Sequence, residues 1–203
     1  MFYAFLRKCA KLFYVIMYKM TVIGKENMPD MKGGYIIASN HVSNNDPPVI
    51  GVTFKGRYNF MAKEELFHKN PFFTWLIKQL GAFPVKRGAK DGAQAIEKAL
   101  ESLEKGHIFV IFPEGTRSKD GTLGRPKSGV TLIAAQAKAP VVPVFIKYGK
   151  KRKFRRRIQV SVGEMMPAEK FDIDIEDRRE LKALSSDIMG EIAKLQENAP
   201  DVD

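Results

Sequence analysis

Apolar residues fall along this chain in two rhythms. Short runs with few polar interruptions read as strands: "TVIG", "GGYIIASN", "RYNFMAK", "AFPVKRG", "HIFVIF", "PVVPVFI" and "RRIQVSVGE". "HIFVIF" is apolar almost throughout, the pattern of a strand covered on both faces. Between these runs the spacing lengthens to three and four. Residues 90–104 place Ala93, Ile96, Leu100 and Leu103 on one helical stripe, closed by Gly106. "NPFFTWLIKQLG" predicts a short helix with Asn70 as cap, Pro71 in its first turn and Gly81 as terminator. "SGVTLIAAQAKA" predicts another, and residues 175–196 a last one striped by Leu181, Leu184, Ile188, Ile192 and Leu195. Asp46-Pro47-Pro48 reads as a helix start, with Asp46 as N-cap and the prolines where missing N–H groups cost nothing. Strands alternating with helices predict one α/β domain whose mixed, mainly parallel sheet is flanked by helices.

The first 20 residues break this alternation. "MFYAFLRKCAKLFYVIMYKM" is rich in aromatic and aliphatic side chains, carries Arg7, Lys8, Lys11 and Lys19, and holds no acid. The cations leave no uninterrupted apolar stretch of the ~20 residues that a spanning helix needs, and no small-residue cleavage pattern marks a signal peptide. Two readings remain: an amphipathic helix lying in a membrane interface, or one packed on the domain. The absence of Asp and Glu before Glu26 favours the membrane. Residues 1–20 are therefore expected as a membrane-associating helix and 21–203 as the α/β domain. The expected location is the cytoplasmic face of the cell membrane, peripheral or monotopic.

Composition sharpens this only through charge. Thirty-four Lys and Arg stand against 23 Asp and Glu, a net of +11. "KYGKKRKFRRR", residues 147–157, contains eight bases and no acid, and so carries most of the excess. An anionic membrane surface or an acidic protein suits such a tract. Nucleic acid fits less well, because Tyr148 and Phe154 are sparse for a stacking platform and no nucleic-acid-binding signature accompanies them, so a non-enzymatic membrane or nucleic-acid binder stands as the remote alternative. The single cysteine, Cys9, excludes an internal disulfide, and no Cys or His cluster stands at metal-ligand spacing.

Candidate chemistry gathers where predicted strands end, the place where α/β sheets build sites. In "NHVSNND", residues 40–46, His41 and Asp46 are spaced to pair, among Asn40, Ser43 and two further Asn. An acid on one ring nitrogen would fix the tautomer and leave the other as a base. No obvious Ser or Cys nucleophile accompanies them, which suits activating a hydroxyl on a substrate. The plainer alternative is a capping aspartate beside a loop histidine. "FPEGTRS", residues 112–118, offers Gly115 for a tight turn, Arg117 for a bidentate anion contact, and Glu114 to orient a hydroxyl or a guanidinium. In "GAFPVKRG", Lys86 and Arg87 close a strand, for phosphate binding or simple solvation.

Taken in order, "NHVSNND", "GAFPVKRG", "FPEGTRS" and "VVPVFI" resemble the four motif blocks of the glycerolipid acyltransferases, the family of lysophosphatidic acid acyltransferases. With "VIGKENMP" upstream, the likeness covers roughly residues 20–165. It implies transfer of a fatty acyl group from an acyl thioester, on coenzyme A or acyl carrier protein, to the free hydroxyl of lysophosphatidic acid, giving phosphatidic acid, with another lysophospholipid or glycerol-3-phosphate as the alternative acceptor. No bound cofactor and no acyl-enzyme are implied. His41 would be the base and Asp46 its orienter, with Asn40 and Ser43 in support. Glu114, Gly115, Thr116 and Arg117, together with Arg87 or Lys86, would hold the acceptor phosphate. Backbone N–H groups near the pair would stabilise the oxyanion.

Overall fold

The computed structural model describes residues 2–31, 33–68, 70–85, 89–151 and 156–201. Helix α1 (Phe2–Met17) leads without a break into β1 (Tyr18–Ile23). Then follow β2 (Tyr35–Ser39), α2 (Asp46–Thr53), β3 (Tyr58–Lys63), α3 (Pro71–Gln79), β4 (Ala82–Val85), α4 (Ala89–Glu104) and β5 (Ile108–Ile111). Helix α5 (Gly129–Ala137), β6 (Val141–Lys151), β7 (Arg156–Val162) and α6 (Arg178–Glu197) complete the order. The helix expected over residues 1–20 thus stops at Met17, and Tyr18, Lys19 and Met20 belong to the sheet.

The seven strands form one sheet in the order β1-β7-β6-β2-β5-β3-β4. All neighbours are parallel except β6 and β7, so β1 and β7 run against the other five. This is the mixed, mainly parallel sheet the alternating pattern predicts. Strand β2 lies in the middle, with Tyr35 level with Ile108 of β5 and Ile36 with Val141 of β6.

Successive side chains of a strand point to opposite faces, and both faces of this sheet are covered. Ile36, Ala38, Phe109, Ile111, Val141 and Phe145 face a core completed by α4, α5 and α6. Tyr35, Ile37, Val110, Val142, Val144 and Ile158 face a second core with Val49 and Ile50 of α2 and Tyr14 of α1. This two-sided burial explains why β2 and β5 lack any alternation of polar residues.

Three details depart from the sequence reading. Helix α4 is rotated about its axis: Ala95, Ala99, Ser102 and Leu103 are buried while Ala93 is exposed. The strand expected over "PVVPVFI" runs on to Lys151, so residues 147–151 of the basic tract lie in β6 and Arg156 and Arg157 in β7. Asp46 is not the cap of α2. Asn45 occupies that position, and Asp46 is the first helical residue with Pro47 and Pro48 behind it. Asn70, by contrast, caps α3 as expected, accepting from the N–H groups of Phe72 and Phe73.

Candidate active site

The site forms where β2 ends. Asn40, 1% exposed, uses its amide as a surrogate strand residue: its Nδ2 donates to the Ile146 carbonyl at 3.0 Å, and its Oδ1 accepts from the Ile146 N–H at 2.8 Å. This pair ties the chain to β6 just as it leaves the ladder, and sets the direction of the next residue, His41.

The His41 ring lies against Phe112, centroids 4.1 Å apart and planes within 18°. Its Nδ1 is 2.7 Å from Asp46 Oδ2. The same oxygen accepts from the backbone N–H of Val42 (2.8 Å) and Ser43 (2.7 Å), and Oδ1 accepts from the Tyr148 hydroxyl at 2.7 Å. Asp46 is fully buried, and four donors offset what its carboxylate loses in leaving water. Surrounded by donors, the carboxylate acts as acceptor only, so Nδ1 carries the ring proton and Nε2 presents a lone pair. Asp46 thus caps the turn at residues 42–43 rather than a helix, and orients the imidazole with the oxygen that does so.

The second loop is held against the first by Glu114. Its Oε1 accepts from the His41 N–H at 3.0 Å and its Oε2 from the Gly124 N–H at 2.9 Å. With 8% of its surface exposed, this carboxylate clamps backbone. The sequence reading gave it to the acceptor phosphate, but both its oxygens are committed to amides, and an anion is a poor neighbour for another anion. The Ser118 N–H donates to the His41 carbonyl at 2.8 Å, so both polar groups of the His41 main chain are tied to residues 114–118. The N–H groups of His41, Val42 and Ser43 are spent on Glu114 and Asp46, which removes three of the expected oxyanion donors.

Gly115 takes φ +70°, a left-handed value that favours glycine. A Cβ there would lie 2.9 Å from Lys127 Nζ, so this lysine crosses the turn. Thr116 and Arg117 follow, both exposed. The turn thereby brings Lys127 against Gly115, with Arg117 two residues further on. Lys86 and Arg87 lie outside the described residues. Ser43 supports its own turn, its Oγ accepting from the Asn45 N–H.

Three residues of the site carry no local signal. Tyr148 is 102 positions from Asp46 and sits inside the basic tract, where it reads as an incidental aromatic. Burial and the adjacent Asp46 carboxylate push its phenol well above the ordinary tyrosine range, so it stays a neutral donor. Tyr18 accepts from Asn45 Nδ2 at 3.2 Å and stacks on Tyr14, linking α1 to the same loop. Phe112 is legible only as the last apolar residue of "HIFVIF". Beside the dyad a cavity of about 460 Å³ opens, lined by Val42, Ser43, Tyr148, Lys119, Lys147 and Arg156 among others. No cluster of metal-ligating side chains occurs among the described residues.

The α/β domain thus carries a buried carboxylate and an imidazole oriented by it, and among the described residues no serine or cysteine is bonded to the free ring nitrogen. Cys9 is on α1 and exposed, and the Ser118 hydroxyl is bonded to Asp120. The chain belongs to the Acyltransferase family, whose family model matches residues 19–147. A 1-acyl-sn-glycerol-3-phosphate acyltransferase of Bacillus subtilis is 31% identical over 199 residues, 96% of each chain. A chloroplastic 1-acyl-sn-glycerol-3-phosphate acyltransferase of Brassica napus is 35% identical over 128 residues, 63% of this chain. The chain spans about a third of the length of such chloroplast relatives, 37% in that case. Among solved structures, the 1-acyl-sn-glycerophosphate acyltransferase PlsC of Thermotoga maritima superposes with a TM-score of 0.73 at 28% identity, over 96% of this chain and 78% of that one.

Proposed function

We propose that this domain acylates lysophosphatidic acid to phosphatidic acid, taking the acyl group from a thioester of coenzyme A or acyl carrier protein. The observation that carries the proposal is the His41–Asp46 pair with its tautomer set and, among the described residues, no protein nucleophile at Nε2. The names of the relatives supply the acceptor, a 1-acylglycerol 3-phosphate.

His41 Nε2 takes the proton of the acceptor hydroxyl as its oxygen attacks the thioester carbonyl carbon. Asp46 stabilises the imidazolium that forms. The tetrahedral intermediate collapses with cleavage of the carbon–sulfur bond, and the imidazolium returns its proton to the departing thiolate. One ester forms, one thioester breaks, and no acyl-enzyme intervenes. General-base assistance of this kind contributes ~10²–10⁴-fold, and fixing the hydroxyl against the thioester supplies much of the rest.

The phosphate of the acceptor is assigned to the Gly115 turn, with Thr116 and Arg117 and with Arg87 or Lys86 from the second motif block. Glu114 is assigned to positioning: it holds the main chain of His41 and the phosphate-binding turn in one frame. Helix α1, ending at Met17, is assigned to the membrane interface at the cytoplasmic face, and the chain from Tyr18 onward to the acyltransferase domain. No helix among the described residues is long and apolar enough to cross a membrane, and exposed Leu12, Phe13, Ile16 and Met17 on α1 suit shallow insertion.

The test is a purified assay with lysophosphatidic acid, glycerol-3-phosphate and other lysophospholipids against both donor types, wild type beside His41→Ala. The variant is expected to lose acyl transfer by at least ~10²-fold while still binding vesicles. Near-normal turnover by His41→Ala would overturn the assignment of the base. Equal rates with all acceptors would overturn the narrower claim for lysophosphatidic acid.

A further inference from the structure

Helix α3 leaves three aromatic side chains in water. Phe72 is 69% exposed, Trp75 44% and Phe73 40%, and the Phe72 and Trp75 rings lie 5.9 Å apart as one patch. The helix contains no acid and has Lys78 in its last turn. The nearest acids, Glu64 and Glu65, lie ahead of the Asn70 cap in a short 3-10 turn, Glu64 within 4.0 Å of His68. Leu76 and Ile77, one turn on from Phe72 and Phe73, are half-buried, so the packed side of the helix runs beside the exposed rings.

Their place follows from the strand register. Tyr58 of β3 is level with Ile108 of β5, which is level with Tyr35 of β2, so β3 and β2 end at one edge of the sheet. His41 follows β2 at that edge. The segment leading to α3 follows β3 there too, and the Thr74 hydroxyl is bonded back to the Phe67 carbonyl. The helix then returns toward Gly81, whose carbonyl accepts from Phe60 N–H. The first turn of α3, with Phe72 and Phe73, thus lies at the dyad's edge.

Helix α1 ends at the same edge. Tyr18, its next residue, pairs with Arg156, and Arg156 pairs with Lys151 at the end of β6. Leu12, Phe13, Ile16 and Met17 are exposed there, with Lys8, Lys11 and Lys19 exposed around them. Helix α1 packs on α2 and leads into β1 at one end of the strand order, and α3 packs on β4 at the other end, so the two patches belong to separate parts of the molecule.

We propose that α3 is a second membrane-inserting element, which acts with α1 to seat the dyad's edge of the sheet on an anionic lipid surface. A lipid surface fits better than a second copy or a protein partner for two reasons. It is flat and continuous, so it meets both separated patches at once without complementary relief. Exposed Trp and Phe beside cations are also the side chains that favour the headgroup boundary. The inference rests on the proposed lipid acceptor only for its purpose, since vesicle binding is measured without any turnover.

Trp75 is the single tryptophan of the chain, so its fluorescence reports on α3 alone. The full chain is titrated with vesicles of phosphatidylcholine and phosphatidylglycerol. Emission is expected to shift to the blue, with quenching by lipids brominated near the headgroup end of the chains. Phe72→Ser and Phe73→Ser are each expected to weaken vesicle partitioning about tenfold, equivalent to about 1.4 kcal/mol. Turnover on a short-chain, monodisperse lysophosphatidic acid should be unchanged, which separates lost docking from lost folding. Sedimentation with vesicles while Trp75 emission stays unshifted would overturn the proposal and leave α1 as the contact. A blue shift without vesicles that grows with protein concentration would also overturn it, in favour of a second copy on this face.

Discussion

Changing Tyr148 to phenylalanine removes one oxygen and keeps the ring. The ring should hold its place, because the Arg156 guanidinium lies 5.0 Å from its centroid and is itself bonded to the Gly149 carbonyl. What is lost is the 2.7 Å hydrogen bond to Asp46 Oδ1. No other donor to that oxygen occurs among the described residues, and Asp46 is fully buried. A hydrogen bond to a charged group contributes ~1.5–3 kcal/mol, and an orphaned buried acceptor costs a similar amount. A destabilisation of about 2 kcal/mol follows. The three donors on Oδ2 remain, so the variant should fold with the dyad intact. Urea unfolding measures the loss. A variant as stable as wild type would refute the reasoning.

Two further substitutions test the scaffold. Asn70→Ala removes the cap that accepts from Phe72 and Phe73, and should cost about 1 kcal/mol in urea unfolding; an unchanged midpoint would show that the α3 N-terminus is held by other contacts. His107 has its proton affinity lowered from the ordinary 6.5 by burial, then by Arg57 and Lys105, while its Nδ1 meets Asn59 Oδ1 at 3.0 Å. The unfolded chain therefore binds a proton that the folded chain resists, so this group's contribution is full above pH 6.5 and is lost as pH falls below it. His107→Gln should flatten the decline in stability between neutral and mildly acid pH, and parallel curves for the two proteins would refute this.

Strands and helices were legible because two-sided burial writes continuous apolar runs and helices write stripes, each a pattern local to its element. Strand order was not, since nothing in "TVIG" says that β1 joins the sheet beside β7 at its far end. His41 and Asp46 were legible because they lie on one turn. Tyr148 was not, because its partner is brought to it only by the β2–β6 pairing, and within a basic tract its ring carries no mark of its neighbour. The misreading of Glu114 has a related cause. A carboxylate next to glycine and arginine looks like part of an anion site, and only the fold shows that its two oxygens face the amides of His41 and Gly124.

The two buried carboxylates divide a task that one could not perform. A base serves its reaction only if its ring is aimed and its main chain is fixed relative to the place where substrate is held. Asp46 aims the ring, and its own position depends on Val42, Ser43 and Tyr148. Glu114 and the Ser118 N–H fix the main chain against the loop that carries Arg117. Loss of Asp46 should therefore free the ring to turn, whereas loss of the Glu114 clamp should free the main chain and change the distance between His41 and the Arg117 loop. That contrast follows from which atoms each carboxylate touches: Asp46 meets the His41 ring at 2.7 Å and Glu114 its main-chain N–H at 3.0 Å.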